Sequence, residues 1–152
     1  MRRLILLLVL IAAPALAQAR LTDAGARAFV ARQERAWNAG DLGAYFAGFT
    51  PDARFTDQAY VGDKPPVPYG TSTLAQARTQ ARKALKGDKP RETGRILRIA
   101  IAADGRSARI DSTVASQVKA RRLCASRTQV LVLDTGGLRS RGQTDTFIRC
   151  PR

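Results

Sequence analysis

The segment Trp37-Asn38-Ala39-Gly40-Asp41-Leu42 joins two helical patterns and indicates how the N-terminal part of the chain folds. Gly40 suits the left-handed position that follows a helix, and the Asp41 side chain can accept a hydrogen bond from the first turn of the next helix. The first helix begins at a Thr22 cap, and one of its faces carries Phe29, Val30, Gln33, Ala36 and Trp37 at helical spacing. The second helix has a bulky apolar stripe formed by Leu42, Tyr45, Phe46 and Phe49. The segment therefore predicts two consecutive helices that are rich in aromatic residues.

After this helical pair the sequence predicts a short strand, a loop and a third helix. The strand covers residues 53–56. Residues 57–70 contain two glycines and three prolines, which are typical of an irregular loop. The third helix begins at a Thr71 or Ser72 cap and ends at Gly87, with alanine and leucine on one face and cations on the other.

The second half of the chain predicts antiparallel strands, because apolar residues alternate there with polar ones. Asp104-Gly105 is a typical hairpin turn. The register that this turn sets pairs apolar with apolar positions, namely Ile101 with Ala108 and Ile99 with Ile110. Helices followed by an antiparallel sheet are the order of an α+β fold. We expect three helices on one face of a strongly curved sheet of four to five strands.

The N-terminus has the three parts of a secretory signal peptide. Residues 2–3 are basic, residues 4–13 are continuously apolar, and residues 15–17 form an A-x-A site. The apolar run is shorter than the roughly 20 residues that a membrane-spanning helix needs. We expect cleavage near Ala17, export to the periplasm or the medium, and a single domain over residues 18–152.

The two cysteines, Cys124 and Cys150, are expected to form a disulfide, because small exported domains favour paired thiols. A hairpin centred near Gly137 would place Asp134 opposite Ser140. The same register places the two cysteines opposite each other, within the distance that a disulfide can bridge.

Composition excludes several classes of function. The 152 residues include 26 Lys+Arg, 12 Asp+Glu and no His, so a Ser-His-Asp triad, a Cys-His dyad and a His-ligated zinc site are excluded. We expect neither a metal nor a cofactor. The cations are spread along the chain, with one cluster at residues 119–122 that has no interleaved aromatic residue. We therefore expect no specific nucleic-acid binding, and at most a weak, salt-sensitive attraction to anionic envelope surfaces.

Together these features resemble the nuclear transport factor 2-like superfamily, in particular its SnoaL-like and ketosteroid-isomerase-like members. The resemblance rests on residues 37–42, on Phe49-Thr50-Pro51-Asp52-Ala53-Arg54-Phe55-Thr56-Asp57, and on Tyr69-Gly70 before the third helix. It implies a cone in which sheet and helices enclose an apolar pocket. Six aromatic residues would then line or plug that pocket: Trp37, Tyr45, Phe46, Phe49, Phe55 and Tyr69. The same side chains could instead simply fill the core.

The resemblance also implies candidate catalytic residues. In the isomerase-like members a carboxylate just after the first strand removes a proton next to a ketone, and Asp57 lies at the matching place. Apolar walls would raise the basicity of such a carboxylate. The tyrosine donor of the family aligns with Gln33, whose amide is a weaker donor, and Asp111 and Asp145 are candidates for the second donor.

Three functions follow from this sequence. The expected one is a non-catalytic exported protein that binds a small apolar ligand in the cone. The second is a proton-transfer enzyme with Asp57 as the base and Gln33 as the donor. The third is an interaction module that forms a homodimer through the outer face of the sheet and holds no ligand.

Overall fold

The computed structural model describes residues 20–151, in which helices come first and most strands follow. Their order is α1 (Asp23–Asn38), α2 (Leu42–Ala47), β1 (Phe49–Ala59), β2 (Val67–Thr73), α3 (Leu74–Leu85), β3 (Arg91–Ile101), β4 (Ser107–Val118), β5 (Arg121–Asp134) and β6 (Gly137–Ile148). The predicted leader, residues 1–17, lies outside the described residues. No helix within residues 20–151 has both the length and the apolarity that crossing a bilayer requires.

The strands form one curved sheet in the order β2-β1-β6-β5-β4-β3. The pairing of β1 with β6 is parallel, and all other neighbours are antiparallel. This confirms the α+β class and the mainly antiparallel sheet. The expected number of four to five strands was too low, because the segment after the first strand adds one more.

The corner between α1 and α2 has the predicted geometry. Thr22 caps α1 by accepting a hydrogen bond from the backbone N–H of Gly25 at 3.0 Å. Gly40 takes the left-handed conformation with φ 73°, and Asp41 caps α2 by accepting from the N–H of Ala44 at 2.9 Å. The sequence between residues 37 and 42 therefore sets the angle at which the two helices meet.

Two apolar clusters attach the helices to the concave face of the sheet. The first joins α1 to the central strands through Leu21, Ala26, Phe29, Ala108, Ile110 and Leu131. The second joins α2, β1 and α3 through Tyr45, Phe46, Phe49, Ala53 and Ala81. The two clusters share no residue, so the helices pack on the sheet at two separate places.

The prediction of an irregular loop over residues 57–70 is wrong. Strand β1 continues to Ala59, since it has partners on both sides, and residues 67–73 form β2. Pro68 fits there because β2 is an edge strand, where a missing N–H is tolerated. The cap of α3 is Thr73 rather than Thr71 or Ser72, and Gln76 completes a capping box with it.

The first hairpin has the predicted register, with Ile99 opposite Ile110 and Ile101 opposite Ala108. The register of the second hairpin is not the predicted one. Asp134 pairs with Gly137, and the turn consists of the two residues between them. At this point β5 is buried on one face alone, since Val130 is exposed on the outer face while its neighbour Leu131 is buried.

A bulge in β6 shifts the register of this hairpin by one residue toward the predicted register. Ser140 pairs with Leu131 and Gly142 with Val130, so that Arg141 is the extra residue. A side chain at Gly142 would collide with the backbone of Arg54 on β1, which explains a glycine at the bulge.

The disulfide between Cys124 and Cys150 is present and confirms the predicted pairing. Cys124 lies opposite Ile148, the last residue of β6, and Cys150 follows two residues later. The Cα atoms of the two cysteines are 5.1 Å apart. The bond therefore closes the end of the β5–β6 hairpin.

A buried ion triad links three strands on the concave face. The guanidinium of Arg127 on β5 donates to Glu92 on β3 at 2.6 and 3.2 Å, and to Asp145 on β6 at 2.8 and 3.0 Å. The three side chains are only 8–14 % exposed. Asn38 at the end of α1 fixes the backbone of Glu92 through two hydrogen bonds of 2.6 and 2.8 Å. The triad therefore links β3, β5 and β6, and Asn38 connects it to α1.

Reduction of the disulfide should destabilise the protein by about 3 kcal/mol, since the bond closes a loop of 26 residues in the unfolded chain. Urea unfolding with and without reductant measures this difference. The double variant Cys124→Ala/Cys150→Ala is the control and should not respond to reductant. A difference below about 1 kcal/mol would contradict the prediction.

Arg127→Met should lower the free energy of unfolding by about 3–5 kcal/mol, because it leaves two buried carboxylates without a cation. The matched control is Arg109→Met, which removes an exposed guanidinium 3.0 Å from Asp111 and should cost less than about 1 kcal/mol. Urea unfolding of both variants checks the prediction. Equal losses in the two variants would show that the buried triad does not stabilise the fold.

Candidate functional site

Two adjoining cavities occupy the inside of the cone. They share four lining residues, Trp37, Tyr45, Gln143 and Asp145. The helical cavity, of about 200 Å³, lies against α3 and is completed by Phe46, Phe55, Thr56, Asp57, Ala77, Gln80, Ala81 and Ala84. The strand cavity, of about 230 Å³, lies against the sheet and is completed by Glu92, Val114, Ser116, Leu123, Cys124, Ala125, Arg127 and Phe147.

Four of the six predicted aromatic residues line these cavities. Trp37 and Tyr45 line both, with ring centroids 5.0 Å apart, and Phe46 and Phe55 line the helical cavity. Phe49 is instead a core residue, 3 % exposed. The resulting aromatic wall is made by the last turn of α1, by α2 and by β1.

Tyr69 lies outside both cavities. Its side chain is 64 % exposed, and its ring lies 6.2 Å from that of Phe147. Its prediction as a pocket residue is therefore wrong for the two cavities inside the cone, and it borders an open groove on the outside instead.

The polar side of the site is a network around the ion triad. Gln143 donates to Asp145 at 3.1 Å and accepts from the hydroxyl of Tyr45 at 3.4 Å. Burial, the dominant cause, raises the pKa of Tyr45 well above the usual range of a phenol, while Arg127 acts in the opposite direction. Tyr45 therefore remains protonated and can donate a hydrogen bond inside the cone.

Asp57 lies on the rim of the helical cavity. It pairs with Gly70 of β2 and Asp145 of β6 along the strands, and its carboxylate has neither an ion pair nor a side-chain hydrogen bond to any residue within 20–151. Its surface is largely accessible, but partial burial and then the charge of Asp145 raise the pKa of the carboxyl above its ordinary value. Arg127 opposes this shift. A carboxylate of raised basicity thus faces an aromatic cavity.

Gln33 does not share a cavity with Asp57. Its carbonyl oxygen accepts from Gln129 at 2.9 Å, and its buried amide nitrogen has no hydrogen-bond partner among the described residues. It lines a separate void of about 20 Å³, which is roughly the space of one water molecule. The two residues that the resemblance aligns with catalytic groups are therefore not brought together.

The two candidates for the second donor have other partners. Asp111 accepts from Arg109 at 3.0 Å and from Thr128 at 2.9 Å, and it lines neither cavity. Asp145 does face both cavities, but its two oxygens accept from Arg127. Neither carboxyl group is placed as a free donor to a ligand.

Sequence reasoning missed Glu92, Arg127 and Gln143, which form most of the polar network. One signal could have located Arg127: residues 125–131 alternate, and Ala125 and Leu131 are inward positions of β5. By the same alternation Arg127 must point inward, where a charge needs a partner. The identity of that partner depends on which strands lie together, and alternation does not reveal it.

The chain was compared with known proteins by sequence and by structure. No protein-family model and no curated protein matches it. Several solved structures do match. The β subunit of benzoate 1,2-dioxygenase from Burkholderia mallei has a TM-score of 0.64 at 13 % identity, covering 86 % of this chain and 93 % of that one.

Two further structures carry the fold description itself. An NTF-2-like protein of unknown function from Shewanella oneidensis has a TM-score of 0.62 at 14 % identity, covering 80 % of this chain and 95 % of that one. A ketosteroid isomerase-like protein from Erwinia carotovora atroseptica has a TM-score of 0.57 at 13 % identity, with coverages of 82 % and 94 %. Identities this low establish the fold alone. The chain therefore has the cone-shaped fold of the nuclear transport factor 2-like superfamily, as its sequence motifs predicted.

Proposed function

We propose that this protein binds a small, largely apolar ligand in the two cavities inside the cone. The observation that carries the proposal is the pair of adjoining cavities, about 200 and 230 Å³, which share Trp37 and Tyr45 as a common aromatic wall. Together they reach the size of small-molecule sites in proteins, which are concave and mainly apolar with a few polar groups.

The charges of the cone also restrict the ligand. Three carboxylates line the cavities, those of Asp57, Glu92 and Asp145, against one guanidinium, that of Arg127. An anionic ligand would meet net repulsion in a region of reduced solvent screening. A neutral ligand with one hydroxyl group could instead donate a hydrogen bond to the unpaired carboxylate of Asp57. We infer an apolar body with a hydrogen-bond donor at one end.

Trp37 provides a direct test, because it is the single tryptophan of the chain and lines both cavities. Titration with 1-adamantanemethanol, which is compact and does not absorb in the indole band, should change the Trp37 emission in a saturable manner. Adamantane-1-carboxylate, the anionic counterpart, is repelled by the carboxylates of the cavities. It should bind about tenfold more weakly, which corresponds to about 1.4 kcal/mol.

A blocking variant distinguishes the cavity from other sites. Ala84→Phe places a large side chain in the helical cavity and should weaken binding of the alcohol at least about tenfold, a loss of about 1.4 kcal/mol. Ala75→Phe makes the same change at an exposed position of α3 that does not line the cavity, and it should bind as the unmodified chain does. Unchanged affinity in Ala84→Phe, or no response of Trp37 to either probe, would refute the proposal.

A proton-transfer enzyme is the second candidate, and the raised pKa of Asp57 at an aromatic cavity favours it. Asp57 would take a proton from carbon next to a ketone, and a donor would stabilise the developing enolate oxygen. Because Gln33 lies in a separate void, the donor that faces the same cavity is the hydroxyl of Tyr45. For this reaction the substrate oxygen has to replace the side-chain oxygen of Gln143 as the acceptor of the hydrogen bond from the Tyr45 hydroxyl.

If the protein isomerises enones, Asp57→Asn should reduce the rate at least about a hundredfold, as expected for loss of a general base. Asp52→Asn is the matched control, since it removes an exposed charge from the same strand. The rate should be highest where Asp57 is ionised and should fall with decreasing pH around a pKa above the ordinary carboxyl value. Equal rates for both variants would exclude Asp57 as the base.

Two further expectations concern the assembly of this protein and its compartment. A homodimer through the outer face of the sheet is compatible with the exposure of Val130 on that face. Export through a leader cleaved near Ala17 agrees with the Cys124–Cys150 disulfide, which is typical of an oxidising compartment.

A further inference from the structure

The turn between β1 and β2 exposes an unusual group of apolar side chains. Tyr60, Val61, Val67 and Tyr69 are 50–64 % exposed, and they make up half of the eight large apolar residues that are exposed within residues 20–151. All four lie within ten residues of sequence, which we call the apolar hairpin (residues 60–69). Single exposed apolar residues are common on soluble proteins, but a group of this kind marks a surface that contacts something apolar.

A basic groove lies directly beside the apolar hairpin. Tyr69 borders it together with Arg121, Arg122, Arg149 and Ile148, and we call it the arginine groove. Its volume is about 540 Å³, and no carboxylate lines it. The Cys124–Cys150 disulfide forms its floor and holds Arg149 next to the first residues of β5. The backbone positions of the three arginines are therefore held close together at one end of the sheet.

These cations have no internal partners. None of the three arginines forms an ion pair with a described residue. Asp88 forms an ion pair with Lys119 at 3.2 Å. The carboxylate of Asp57 lies beside Gly70 and acts on Tyr69, but three guanidinium groups outnumber it. The groove thus presents net positive charge to whatever meets the apolar hairpin.

We propose that the apolar hairpin and the arginine groove dock this protein onto an anionic lipid bilayer. Valine and tyrosine side chains enter the boundary between headgroups and acyl chains, where tyrosine is favoured, and the arginines bind lipid phosphates. Duplex nucleic acid would match the arginines but would leave Val61 and Val67 in water. A bilayer satisfies both parts of the surface at once.

The test is co-sedimentation of the mature chain with vesicles. Vesicles of phosphatidylcholine that contain phosphatidylglycerol should bind the protein, and vesicles of phosphatidylcholine alone should bind it at least about tenfold more weakly, because zwitterionic headgroups give the bilayer no net negative charge. Tyr60→Ser/Val61→Ser and Arg121→Gln/Arg122→Gln should each reduce partitioning into the anionic vesicles about tenfold.

Matched controls separate this surface from general effects of charge and hydrophobicity. Leu97→Ser removes an exposed apolar side chain from β3, and Arg95→Gln/Arg98→Gln removes two exposed charges from the same strand. Both should bind the anionic vesicles within about twofold of the unmodified chain. Circular dichroism of every variant confirms folding. If Tyr60→Ser/Val61→Ser does not fold, Tyr69→Ser replaces it with the same expected direction.

Three results would overturn the proposal. Equal losses for the two arginine pairs would show that only net charge attracts the protein. Equal binding to both kinds of vesicle would show that the arginines do not respond to the negative charge of the bilayer. Release from anionic vesicles by millimolar inorganic phosphate, but not by chloride of equal ionic strength, would identify a site for free phosphate instead of a membrane surface.

Discussion

The placement of Arg127 between Glu92 and Asp145 is the constraint on which the inside of the cone depends. A buried guanidinium must be paired, and its two partners come from strands on different sides of β5. Glu92, Arg127 and Asp145 line the strand cavity, and Asp145 also lines the helical cavity. The triad therefore supplies the polar part of the cavity walls, and Trp37 and Tyr45 supply the aromatic part that both cavities share.

Features that depend on neighbours in sequence could be predicted from the sequence. Asp41 caps α2 and Asp104-Gly105 turns the first hairpin because each acts within a few residues of itself. The register of the second hairpin was predicted wrongly at its turn, which is Thr135-Gly136 instead of a loop centred near Gly137. The bulge at Arg141, which brings the register one residue closer to the predicted one, depends on how closely Gly142 approaches β1. That approach results from a parallel pairing of distant strands, which no local pattern encodes.

The candidate site was predictable in part for the same reason. Trp37 and Tyr45 follow helical spacing, so their inward direction could be inferred from the sequence. The separation of Gln33 from Asp57 could not be inferred from the sequence, because Gln33 accepts a hydrogen bond from Gln129 on the distant strand β5. Tyr45 was predicted as an apolar wall, and its hydroxyl bond to Gln143 adds a polar role that only the packed structure shows.

The chain separates its charges between two surfaces. Its formal net charge is +14, yet the cavities hold more carboxylates than cations, while the arginine groove outside holds cations alone. Leu123, Cys124 and Phe147 line both the strand cavity and the groove, so one thin wall divides them. The disulfide is part of that wall, because Cys124 lines both sides of it. The strand cavity and the arginine groove, which differ in the sign of their charge, are therefore one residue layer apart. An anion that the groove attracts would therefore meet an excess of carboxylates on the other side of this wall.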